Sequence, residues 1–249
     1  MSARDLEESA QRHRSIRSFV KRAGRTTAGQ ARALEELWPR YGIEYSADGL
    51  DLDVVFGRRA PRVLEIGFGN GEHLAALAAA DPERDYLGVE VHRPGVGHLL
   101  LLAEANHSTN VRAICHDAVD VLTSQIPADS LDELLILFPD PWHKKRHHKR
   151  RLIQPPFIQL AVSRLKMGGV FRLATDWQPY AEQMLELLNA SPSLRNLSST
   201  NDWIPRPDER APTRFERRGA RLGHGVWDLA FERIAPPESA AAPVVSNRH

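Results

Sequence analysis

Between Arg62 and Leu187, short apolar runs alternate with segments of helical period. The runs are Arg62–Ile66, Asp85–Val89, Val111–Cys115, Leu131–Leu137 and Val170–Ala174. The segments between them are Glu72–Ala80, a helix starting at Pro94 and reaching about Asn106, and one from about Pro156 to Lys166 that Gly168-Gly169 stops. After the last run, Asp176 caps a helix whose apolar residues Trp177, Tyr180, Met184 and Leu187 keep helical spacing. Alternation at this spacing predicts βαβ units around a parallel sheet. Beyond residue 190 it breaks. Ser191 to Gly225 is rich in Pro, Arg and Gly, and Val226–Ile234 alternates with period two, which predicts an antiparallel addition to the sheet. Residues 31–40 read as a short helix stopped by Pro39, and 41–60 as a connection. The expected division is a basic flexible arm (1–30), a main domain (31–235) and a disordered tail (236–249).

Charge is informative in its distribution. The formal net charge is only +1, yet residues 1–30 carry seven Arg/Lys against three acids. Residues 143–151 carry six Lys/Arg and three His with no acid. Such local fields suit phosphate recognition, although a short charge run is as often a solvated face. The single cysteine, Cys115, excludes a disulfide framework and a cysteine zinc site. His143, His147 and His148 lack a supporting carboxylate, so no metal is expected. No apolar signal core or run of about twenty apolar residues occurs, so no membrane association and a cytoplasmic location are expected.

The first apolar run leads into Gly67-Phe-Gly69-Asn-Gly71. Glycines there permit a tight turn and close approach of backbone to ligand. The spacing is not Gly-x-Gly-x-x-Gly, since position 72 is Glu, which disfavours a nicotinamide dehydrogenase; nor is there a P-loop Lys-Ser/Thr pair. Glu65 would repel a pyrophosphate but suits the ammonium and sulfonium groups of S-adenosylmethionine. Glu90, nineteen residues past Gly71, ends the second strand where an acid accepts from ribose hydroxyls. Asp117, after the third, is placed to accept from an adenine amino group. The fourth run ends in Phe138-Pro-Asp140-Pro-Trp142, a rigid turn presenting one carboxylate between two aromatics, followed by the basic block. The carboxylate can hold ring or amino hydrogens of a planar nitrogen nucleophile, and the aromatic can stack on its face.

These residues resemble bacterial tRNA (guanine-N7)-methyltransferases. The matching runs are Arg17-Ser-Phe-Val-Lys-Arg-Ala-Gly-Arg25, Leu64-Glu-Ile-Gly-Phe-Gly-Asn-Gly71, Gly88-Val-Glu-Val-His92, Phe138-Pro-Asp-Pro-Trp-His-Lys-Lys-Arg146, Thr175-Asp-Trp177 and Arg210-Ala-Pro-Thr-Arg-Phe-Glu-Arg-Arg-Gly219. The resemblance implies a Rossmann-like methyltransferase fold with a mostly parallel seven-stranded sheet and an antiparallel C-terminal strand. It implies methylation of a guanine in the tRNA variable loop, with S-adenosylmethionine as cofactor and tRNA as partner. It carries cofactor contacts onto Glu65, Glu90, Asp117 and Asp140, beside Gly67, Gly69 and Gly71, and makes Asp140 the catalytic position. Substrate contacts fall on Lys144, Asp176 and Thr213, Arg214, Phe215 and Glu216. Arg146, His147, His148, Lys149, Arg150 and Arg151 are expected against RNA. Two other classes stay open here: a methyltransferase of another RNA or a small molecule, and a non-catalytic RNA-binding protein. Oligomeric state, monomer or homodimer, is open.

Overall fold

The computed structural model describes Ser18, residues 26–207 and residues 225–236. Thr213 to Glu216, most of the basic arm and almost all of the expected tail lie outside the described residues.

Two short helices come first, α1 (Ala28–Glu36) and α2 (Trp38–Tyr41). The first opens on a capping box: Gln30 N–H donates to Thr27 Oγ1 at 3.2 Å, and Thr27 N–H donates to Gln30 Oε1 at 2.9 Å. Pro39 therefore does not stop the expected 31–40 helix. It sits in the first turn of α2, where its missing N–H costs nothing.

The chain then runs β1 (Gly42–Ile43), α3 (Leu52–Phe56), β2 (Arg62–Ile66), α4 (Glu72–Ala80), β3 (Asp85–Val89) and α5 (Arg93–Ala105). It continues β4 (Val111–Ile114), α6 (Ala118–Ser124), β5 (Leu131–Leu137), a 3-10 helix (Lys145–Arg150) and α7 (Pro155–Arg164). It closes with β6 (Leu165–Thr175), α8 (Gln178–Asn189), β7 (Leu194–Asn196) and β8 (Trp227–Arg233). The sheet order is β1-β4-β3-β2-β5-β6-β8-β7. All pairs from β1 to β6 are parallel, and β8 runs antiparallel to both β6 and β7. The expected mixed sheet is present with eight strands. The short edge strands β1 and β7 are too brief for a period of two to register.

Helices cover both faces of the sheet. Alternate residues of β2 divide between two cores: Leu64 and Ile66 join Leu134, Ile136, Phe157 and Tyr180 on one face. Val63 joins Leu74, Tyr86, Leu99 and Leu135 on the other.

Two expected boundaries move. Gly168-Gly169 does not stop α7, which ends at Arg164. The glycines lie inside β6, where Leu131 pairs with Leu165 and Glu133 with Val170. Five steps of β6 thus span two of β5, and Gly168, at φ 78°, turns the bulge. Asp176 is not the cap of α8. Trp177 holds the N-cap position without a side-chain bond, its own N–H donates to Thr175 Oγ1 at 3.3 Å, and a proline lies in the first turn.

Candidate active site at the switch point of the sheet

The strand order reverses between β2 and β5: β3 and β4 lie to one side of β2, β5 and β6 to the other. In an open parallel sheet such a reversal leaves a crevice at the carboxyl ends of the strands. The register aligns Ile66 with Val89 and with Ile136, and Val89 with Ile114. The residues that follow these four therefore share one edge. They are Gly67 to Gly71, Glu90, Asp117 and the Phe138–Trp142 turn.

The glycine loop is held open. Gly67, Gly69 and Gly71 all have φ between 60° and 76°. A Cβ on Gly67 or Gly69 would meet nothing within 4 Å among the described residues, so these leave the space above the loop open to a ligand. Glu90 anchors the loop: its carboxylate accepts from Gly69 N–H at 2.9 Å, Val91 N–H at 2.7 Å and His92 N–H at 2.9 Å. The loop also needs room behind it. A Cβ on Gly95, in the first turn of α5, would lie 2.0 Å from the Gly69 carbonyl oxygen. Sequence reasoning passed over Gly95. Its signal was a glycine inside an expected helix, which costs about 1 kcal/mol against alanine and so asks for a packing reason.

Glu65 is buried, and its Oε2 lies 3.1 Å from His73 Nδ1 on α4. Asp117 is the N-cap of α6, where Oδ1 accepts from Val119 N–H at 3.0 Å. Its ordinary turn role and the expected adenine contact are compatible, because a carboxylate has lone pairs to spare.

Asp140 is exposed on its turn, and Asp176 is half-buried after β6. Neither makes a hydrogen bond among the described residues. The turn is conformationally costly: Phe138 and Trp142 have φ of 53° and 46°, in the left-handed region that such bulky residues avoid. Strain of this kind persists only where surrounding contacts over-determine it. Phe138 N–H donates to Ala174 O at 2.7 Å. Trp142 Nε1–H donates to Ser18 O at 3.2 Å, and the Arg150 guanidinium lies 4.9 Å from the centre of its ring. His147 meets the same ring edge-on at 6.0 Å. The indole is thus a local fastener with one face covered by Arg150.

Lys144, Lys145, Arg146, Lys149 and Arg150 are exposed, and His147 is half-exposed. Desolvation, followed by the charges of Arg146, Arg150, Lys144 and Lys149, holds the His147 imidazole below its ordinary pKa. His148 is half-buried, with Nε2 3.1 Å from a nitrogen of Arg151. Arg151 departs from expectation. It is 3% exposed, and its guanidinium points inward, 4.6 Å from the centre of the Tyr180 ring. Burial lowers its pKa and raises that of Tyr180. The expected RNA contact at Arg151 is therefore corrected: the side chain is enclosed by protein and cannot reach a phosphate. Composition did not reveal this, because one arginine in a basic run looks like the next.

Among the described residues no helix is long and apolar enough to cross a membrane, and no cluster of three or more His, Cys, Asp or Glu could hold a metal.

The profile of a family described as "Putative methyltransferase" matches residues 59–229. A protein of Serratia proteamaculans named tRNA (guanine-N(7)-)-methyltransferase is 56% identical over 229 residues, covering 92% of this chain and 96% of that protein. One of the same name from Photorhabdus laumondii is 54% identical over 230 residues, with the same coverage. Among solved structures, the 16S rRNA methyltransferase KamB superposes with a TM-score of 0.53 at 16% identity. It covers 76% of this chain and 95% of its own. The antibiotic-resistance methyltransferase Kmr gives 0.53 at 15%, with 78% and 95% covered. At that identity the likeness is one of fold.

Proposed function

The chain belongs to the tRNA (guanine-N(7)-)-methyltransferase family, and from that membership we propose that it methylates N7 of a guanine in the tRNA variable loop. S-adenosylmethionine is the methyl donor, and 7-methylguanosine and S-adenosylhomocysteine are the products. One observation carries the reading: the glycine loop, four carboxylates and the exposed cations of residues 144–150 all open at the same end of the sheet. A small substrate would need no such basic block. A purely binding role would leave Asp140 and Asp176, which make no hydrogen bond among the described residues, without a purpose.

The residues fit the cofactor. The loop at Gly67 and Gly69 has open space above it, Glu90 is already fixed beside it, and Glu65 and Asp117 flank it. When bound, S-adenosylmethionine supplies an electrophilic methyl group on a cationic sulfur. Glu65 would hold the amino-acid end, Glu90 the ribose hydroxyls and Asp117 the adenine amino group.

Guanine N7 carries a free lone pair, so the chain need not remove a proton before attack. Its work is positioning, in which held geometry replaces a bimolecular encounter. The guanine ring becomes cationic as the methyl arrives, and Asp140, with Asp176 after the neighbouring strand β6, favours that charge. Lys144 and the exposed cations after it hold phosphates, with the cations of residues 1–30 as further partners for the same backbone. A cytoplasmic location, where tRNA is met, belongs to the same reading.

The test is methyl transfer from labelled S-adenosylmethionine to unmodified tRNA, followed by aniline cleavage at 7-methylguanine. Label with cleavage in the variable loop is expected. Label without an aniline-sensitive site would remove N7 from the reading, and no transfer to any RNA would remove tRNA.

A further inference from the structure

The most informative misfit is Arg151, a buried cation inside a block of exposed ones. Its guanidinium donates from Nε to Pro141 O at 2.9 Å and from one terminal nitrogen to Pro179 O at 3.5 Å. That same nitrogen donates to Gln183 Oε1. The second terminal nitrogen faces His148 Nε2 at 3.1 Å, and the plane packs on Tyr180. No carboxylate pairs with it among the described residues. The planar fork is spent on neutral acceptors from separate segments, a task for which a point charge on a flexible stem is poorly shaped.

What those acceptors neighbour gives the contact its meaning. Pro141 follows Asp140 directly. Pro179 and Gln183 lie on α8, whose chain begins just after Asp176. Asp140 and Asp176 follow different strands, β5 and β6, and Asp140 rides on a turn with two residues in left-handed backbone. Tyr180 braces the same joint, since its hydroxyl accepts from Ile153 N–H at 3.1 Å and its ring is fully buried.

We propose that Arg151 is a positioning residue: it ties the Asp140 turn to the start of α8, fixes Asp140 relative to Asp176, and serves methyl transfer rather than tRNA binding. The proposal rests on the functional reading above. Misplacing a reacting group by about 1 Å costs on the order of a hundredfold in rate. Losing a phosphate contact instead weakens RNA binding and lowers the salt slope by roughly 0.7 to 0.9 per cation.

The experiment compares Arg151→Lys and Arg151→Met with Lys149→Met, an exposed cation two residues away. Single-turnover rate is read at saturating tRNA and S-adenosylmethionine, and tRNA affinity across a salt series. Both Arg151 variants are expected to lose about ten- to a hundredfold in rate while keeping the unsubstituted salt slope. Lys149→Met is expected to lose slope. Full rate in Arg151→Lys together with a reduced slope in Arg151→Met would make Arg151 a phosphate contact and overturn the proposal. Unsubstituted rates in both would overturn it equally. If melting shows that the Arg151 variants do not fold, Gln183→Met removes one acceptor and leaves the arginine. A rate drop with unchanged slope is expected there, and an unchanged rate refutes the tie. Failure of the unsubstituted chain to methylate tRNA would instead sink the functional reading, and shows in the same assay before any variant is compared.

Discussion

Glu90→Gln isolates the anchor of the glycine loop. In the native chain one carboxylate oxygen accepts from Val91 and His92 N–H, and the other from Gly69 N–H. A glutamine can turn its oxygen toward Val91 and His92, but its amide nitrogen then faces the Gly69 N–H, donor against donor. Leaving that donor unmatched costs about 1–3 kcal/mol, and the two surviving bonds lose their charge assistance, worth about 1 kcal/mol each. Glu90 is half-exposed, and water recovers part of this, so the net loss is about 2 kcal/mol. For a chain of this size that is about 4–8 °C in melting temperature. The assay is calorimetry without ligand, repeated with S-adenosylhomocysteine. The released loop should also shrink the ligand-induced rise, since linkage depends on affinity for the native state. A variant melting within about 1 °C of the native chain, with an undiminished rise, would refute the claim that Glu90 holds the loop.

Three further outcomes are expected. Asp140→Ala should retain tRNA binding, measured by filter retention, and lose turnover; near-normal turnover would remove the catalytic assignment. Replacing Lys149 and Arg150 together, with Arg151 left in place, should flatten the salt dependence of tRNA binding by roughly 1.4 to 1.8 in slope. An unchanged slope would mean that those two face away from RNA. Gly95→Ala should push the Gly69 carbonyl off its position and cost about 1–3 kcal/mol by overpacking, with weaker S-adenosylhomocysteine binding in titration calorimetry. A melting curve and affinity equal to the native ones would show that the loop relaxes freely.

Much of the fold could be read from period and punctuation. Strands β2, β3 and β5 and helix α4 fall on their expected residues, because short, mostly apolar runs with turn residues such as Gly67 and Pro139 beside them leave few alternatives. Where expectation slipped, one local rule hid another. Gly168-Gly169 reads equally as a helix stop and as a bulge, and only the pairing of β5 with β6 decides. The Thr27–Gln30 capping box was legible in the residues themselves, but the basic composition around it suggested an arm. At the site, the acids were legible from their places after successive strands. Their partners were not: Glu65 with His73 and Arg151 with Pro141 join residues whose proximity is created by the fold.

The helix type of the basic block has a consequence of its own. Lys145–Arg150 is 3-10, with three residues per turn and about 2.0 Å of rise, so side chains three apart eclipse one another. The block therefore sorts into ridges. His148 shares one with the exposed Lys145 and turns toward Arg151, the cap that follows the helix, and His147 and Arg150 form one that leans on Trp142. Arg146 and Lys149 form the third, exposed, with successive cations about 6 Å apart along the axis. An α-helix of the same sequence would spiral these charges around its surface. The tighter winding makes a straight two-toothed comb, and a single residue inserted between positions 146 and 149 would break it without changing the net charge.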